Sequence, residues 1–129
     1  KSASFRGREK VYEHINFLIK NAKESIHLKT TKEGFERKYE TLLTQLKKAS
    51  QRGVDIKLST PKGVDEVILK NFSQIAEINI SKEKDSRFCV IDNKNVLIFL
   101  TDDQETHHNY DSAVWVEAPN FVKHFNSLF

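Results

Sequence analysis

The apolar positions of this chain change period repeatedly, and that alternation leaves few folds open. Val11, Tyr12, Ile15, Leu18, Ile19 and Ala22 follow the stripe of an amphipathic helix. Ser25 to Thr31 then switches to period two, with Ile26 and Leu28 expected inward and His27 and Lys29 outward. Phe35, Tyr39, Leu42, Leu43, Leu46 and Ala49 return to helical spacing, and Arg52-Gly53 ends that helix. Val54, Ile56 and Leu58 alternate as a second strand. Thr60-Pro61 reads as the N-cap and first position of a third helix, whose apolar face is Val64, Val67, Ile68 and Phe72. Ile78 and Ile80 mark a third strand.

The second half has a different rhythm. Lys82 to Asp85 reads as a polar loop. Arg87 to Ile91 and Val96 to Leu100 are strongly apolar and flank the turn sequence Asp92-Asn93-Lys94-Asn95, which predicts a β-hairpin buried on both faces. Thr101 to Tyr110 reads as a polar loop and Ala113 to Val116 as a last strand. Pro119 opens a closing helix carrying Phe121, Val122, Phe125 and Leu128. Two successive βαβ units require parallel strands with right-handed crossovers, and the hairpin adds antiparallel pairing. The expected class is α/β, a mixed β-sheet with helices on its faces.

A length of 129 residues suits one domain over 1–129. Met is absent and the chain begins at Lys1, so it is expected to be an excised piece of a longer protein. The longest apolar run, Val96 to Leu100, is far short of the roughly 20 residues of a membrane span, and no secretory signal is visible. No membrane partner is expected. Cys89 is the single cysteine, which excludes an intrachain disulfide and a Cys-based zinc site and makes the cytoplasm the expected compartment.

No cofactor is expected either. The glycines are isolated at Gly7, Gly34, Gly53 and Gly63, so there is no Gly-rich phosphate loop. G-x-S-x-G and H-E-x-x-H are also missing. Cys89 lies inside Phe88-Cys89-Val90-Ile91 and reads as a buried, inert thiol. His107-His108 would point opposite ways in an extended segment, which is poor geometry for one metal. His14, His27 and His124 stand alone on regular elements and read as packing or surface residues.

The net charge of +3 and a pI near 9.0 suggest nucleic acid at first sight. Their distribution argues against it. Lys1, Arg6, Arg8, Glu9 and Lys10 account for the whole excess, so the basic start reads as an arm or a junction to something upstream. Asn95 to Val122 holds no Lys or Arg, whereas Asp102, Asp103, Glu105, Asp111 and Glu117 lie within it. A face built from that stretch would repel phosphate.

The segment Asp85-Ser86-Arg87-Phe88-Cys89-Val90-Ile91-Asp92 has the spacing D-x-R-x-x-x-x-D, followed by an apolar strand and Thr101. It resembles the phospholipase D signature H-x-K-x-x-x-x-D, with Asp85 at the nucleophilic His, Arg87 at the phosphate-holding Lys and Asp92 at the supporting Asp. The plain alternative is a strand bounded by polar residues. A carboxylate at position 85 would repel a phosphodiester and lacks the nucleophilic chemistry of imidazole. No catalytic residue is therefore expected.

Phe5-Arg6-Gly7-Arg8-Glu9, Asn21-Ala22-Lys23-Glu24-Ser25-Ile26 and Ala49-Ser50-Gln51-Arg52-Gly53-Val54-Asp55-Ile56 surround that signature strand. Together they resemble the C-terminal effector domain of the TrmB family of archaeal transcription regulators, over nearly the whole chain. The resemblance implies a phospholipase D-like half that has lost its hydrolytic signature. It also implies a homodimer, with DNA bound through an N-terminal winged helix absent from this chain. The implied role is a non-catalytic domain that senses a ligand or partner. Two alternatives stand beside it: a hydrolase or nuclease half needing a second H-x-K-bearing chain, and a protein-interaction domain of another regulator. No motif here matches the family's sugar-binding residues. The expected ligand rim combines Lys29, Asp85, Arg87, Asp92 and Thr101 and would suit a small polar or anionic molecule. The alternative for Arg87 is a pair with Asp85 or Asp92 that steadies the hairpin.

Overall fold

The computed structural model describes residues 1–37, 39–82, 86–100 and 111–127. Its elements are β1 (Ser2–Arg6), α1 (Arg8–Asn21), β2 (Ser25–Lys29), α2 (Lys32–Arg37), α3 (Tyr39–Gln51), β3 (Asp55–Thr60), α4 (Glu66–Ser73), β4 (Glu77–Ile80), β5 (Phe88–Ile91), β6 (Asn95–Phe99), β7 (Ser112–Glu117) and α5 (Pro119–Ser127). The seven strands form one sheet in the order β1-β7-β6-β5-β2-β3-β4. β2, β3 and β4 are parallel, as the two βαβ units require, and the remaining pairings are antiparallel. The expected mixed sheet is therefore the one found.

Helices pack on both faces. Val11, Ile15 and Ile19 of α1, Leu46 of α3 and Phe72 of α4 join Leu28, Leu58, Cys89 and Leu97 in the larger core. On the other face α5 places Val122 over Phe88, Val90 and Val96, and Phe125 stacks edge-on to Phe88. Burying each such side chain contributes roughly 1.5–3 kcal/mol, so α5 is a structural layer.

Three expectations need correction. The basic start is no arm: Ser2–Arg6 is an edge strand paired with β7 from Ser2↔Val116 to Arg6↔Ser112. His27 and Lys29 do not face water. β2 is central and covered on both sides, leaving them 8% and 3% exposed. Thr60-Pro61 does not open α4: Thr60 closes β3, Gly63 turns the chain at φ +99, and Asp65 is the N-cap, accepting from the Val67 and Ile68 amides. A left-handed residue cannot continue a right-handed helix, so the cap lies beyond it. The helical spacing through Phe35 and Tyr39 is found in α2 and α3, which flank residue 38, outside the described residues. The expected loop Thr101 to Tyr110, with His107 and His108, and the helix position Leu128 lie outside the described residues.

Candidate functional site

β5 runs antiparallel to β2 and begins where β2 ends. One end of the sheet therefore gathers the exits of β2, β3, β4, β6 and β1 together with the starts of β5 and β7. Lys29 and Arg87 both lie there, as the sequence predicts, but on opposite faces. Lys29 is in register with Phe88, so it shares the α5 side, and its Nζ donates to Ser86 Oγ at 2.8 Å. Arg87 lies on the α1 side, its guanidinium stacked 4.5 Å from the Phe99 ring centroid. It is 4% exposed. A stacked, buried guanidinium is a packed cation, held by an aromatic face as well as by charge. Asp85 and Thr101 lie outside the described residues.

Asp92 does not join them. It sits in the β5–β6 turn at the opposite end of the sheet, in the left-handed region at φ 56. Its carboxylate accepts the backbone amides of Lys23 at 3.0 Å, Glu24 at 2.7 Å and Ser25 at 2.9 Å. These are the amides that lead into β2, so the last residue of the signature ties the hairpin to the α1–β2 connection. Spacing in sequence hid this, because a hairpin carries i+7 to the far end of its first strand.

Two polar contacts escaped sequence reasoning. Asp111, read above as part of a repelling acidic stretch, is buried and pairs with Arg8 Nε at 2.8 Å, while its carbonyl accepts the Gly7 amide. Inside the sheet His27 Nε2 lies 3.1 Å from Ser59 Oγ and stacks edge-on against Phe88. His27 and Ser59 both sit at polar positions of neighbouring apolar strands, two residues out of register, since His27 pairs with Lys57 and Ser59 with Lys29. That pattern was the only sequence signal for the contact.

Two titrations are displaced by burial. Cys89, wholly enclosed, has its thiol pushed up to about 12, which keeps it protonated and inert. His14 of α1 is stacked on Phe5, faces Trp115 edge-on, and has its pKa lowered by desolvation. Among the described residues no cluster of His, Cys, Asp or Glu could hold a metal ion.

With this geometry in view, the family profile of the transcriptional regulator TrmB, EBD N-terminal subdomain, matches residues 3–129. The chain belongs to that family. Comparison with curated proteins finds no match. Among solved structures the chain is similar to TrmBL2, described as an archaeal chromatin protein with a novel mode of DNA binding, at 21% identity and a TM-score of 0.77. That alignment covers 99% of this chain and 50% of TrmBL2, so the chain spans half the length of that relative. It is also similar to NucT from Helicobacter pylori, at 12% identity and a TM-score of 0.75, covering 99% of this chain and 92% of NucT. Nuc from Salmonella typhimurium, a phospholipase D family member, matches at 16% identity and a TM-score of 0.66, covering 99% and 91%. The fold is phospholipase D-like, as the signature strand suggested, and the family is one of regulators. No helix among the described residues is long and apolar enough to cross a membrane.

Proposed function

We propose that this chain is the sensing part of a TrmB-like transcription regulator. It acts in the cytoplasm as a homodimer, performs no hydrolysis, and modulates a DNA-binding module carried elsewhere in the same protein. The observation that carries this reading is the fate of the phospholipase D signature within a regulator family. Asp85 replaces the nucleophilic histidine. Arg87, at the position of the phosphate-holding Lys, is packed on Phe99. Asp92 serves three backbone amides. Each element of the signature thus has a chemistry or a contact other than catalysis, while the sheet around it persists. Lys29 and Arg87 stiffen the sheet end from its two faces and leave sensing to the loops that leave it.

A second reading is a degenerate hydrolase half, because the fold is shared with NucT and with the phospholipase D family member Nuc. DNA binding by the intact protein separates the two. The regulatory reading expects retention of discrete genomic fragments, with an affinity that changes at least severalfold in the presence of particular metabolites. Binding without sequence preference and without response to any metabolite would support the hydrolase reading instead.

A further inference from the structure

The three parallel strands share a detail at their exits. β2 is followed, one residue on, by Thr31-Lys32, β3 directly by Pro61-Lys62 and β4 directly by Ser81-Lys82. The three segments line one open groove of about 750 Å³, with Ile80 on its wall, half exposed. In open α/β sheets the crevice beyond the carboxyl ends of parallel strands is where ligands sit, because loops from separate strands converge there. Here the convergence delivers three exposed ammonium groups into one concavity, and among the described residues none of them lies in an ion pair.

The loop geometry fixes this arrangement. Pro61 and Val64 are buried and Gly63 turns at φ +99, so Lys62 is carried on a pinned loop. The Ser81 amide donates to the Thr60 carbonyl at 2.8 Å, which ties the exit of β4 to that of β3. Thr31 is buried, and its hydroxyl accepts the Gly34 amide, which fixes the turn carrying Lys32. Three exposed lysine side chains on three anchored stems form a receptor for several negative charges held close together. Glu33 stands on the same groove and opposes them.

We infer that this groove binds a small polyanion, a molecule carrying two or more phosphate groups with a modest apolar or sugar face for Ile80. The concavity has the size of a small-molecule site, which suits a compact ligand better than the flank of a duplex. Three clustered positive charges raise the local concentration of anions and select multiply charged over singly charged ones. The inference deepens the regulatory reading above and depends on it for its purpose, although the site itself stands or falls separately.

Inorganic pyrophosphate is the probe, titrated calorimetrically into the intact protein, with inorganic phosphate, a neutral disaccharide and a short DNA duplex as comparators. Pyrophosphate is expected to bind in the groove and more tightly than phosphate. Lys32→Gln, Lys62→Gln and Lys82→Gln should each weaken it roughly tenfold, and Glu33→Gln should tighten it. All four side chains are exposed, so the melting temperature of each variant should match the parent. The site is overturned if pyrophosphate does not bind, if binding survives the triple Lys→Gln variant, or if the disaccharide binds instead. It is equally overturned if the duplex binds through these lysines and pyrophosphate does not displace it. If pyrophosphate binds as described but leaves the DNA affinity of the intact protein unchanged, the site holds and the regulatory reading fails.

Discussion

Asp92 occupies a motif position associated with catalysis, yet its carboxylate is committed to three amides at the entry of β2. Charge-assisted bonds of this kind contribute roughly 1.5–3 kcal/mol each against an unsatisfied reference, less when water can replace the acceptor. Urea denaturation should therefore show Asp92→Ala destabilised by about 2–3 kcal/mol. Asp92→Asn should lose less, because Asn keeps one acceptor and tolerates the left-handed backbone. Equal losses for both would mean that charge rather than hydrogen bonding holds the connection. His14 gives a prediction in pH. Its folded pKa lies below the unfolded value near 6.5, so folding favours the neutral ring. That contribution is present above the unfolded pKa and is lost as pH falls towards the folded one. Stability should decline on acidification below about pH 6.5. His14→Phe, which keeps the stack on Phe5, should flatten the decline. A His14 ring that titrates by NMR at or above its unfolded pKa would contradict this.

Elements were legible in the sequence wherever apolar burial set the period. The hairpin of β5 and β6, the crossover helices and α5 all follow from runs or stripes that only a core explains. What escaped reading was set by other physics. β1 joins the sheet through backbone pairing, and its residues Ser2 to Arg6 carry little apolar signal. His27 and Lys29 imitate the solvent face of a half-buried strand, because period two cannot tell polar residues satisfied inside from those satisfied by water. Of the expected site, the convergence of Lys29 and Arg87 at one sheet end was legible, but their opposite faces and the distance of Asp92 required register. Gly34 offers a test at this scale. It lies buried in α2, and a Cβ there would stand 2.1 Å from Thr30 Oγ1. Gly34→Ala should destabilise by roughly 1–3 kcal/mol despite the better helix propensity of Ala. Adding Thr30→Ala should recover much of that loss. Thermal melts of the single and double variants decide it, and a stabilised single variant would contradict the packing.

At the scale of the whole molecule, a fold shared with NucT and Nuc occurs here in a regulator family. In this chain cations line the strand exits, the signature cation is packed on an aromatic ring, and the signature Asp braces the far end of the sheet. Regulators that read two half-sites act as dimers, so sedimentation of the intact protein should show a dimer, and a strict monomer at high micromolar concentration would count against that part of the account. The central claim is that this phospholipase D-like sheet senses and does not hydrolyse. Turnover of bis-p-nitrophenyl phosphate by the intact protein tests it most directly. The account predicts a rate indistinguishable from buffer. Saturable turnover that disappears in an Arg87→Gln protein with an unchanged circular dichroism spectrum would contradict it.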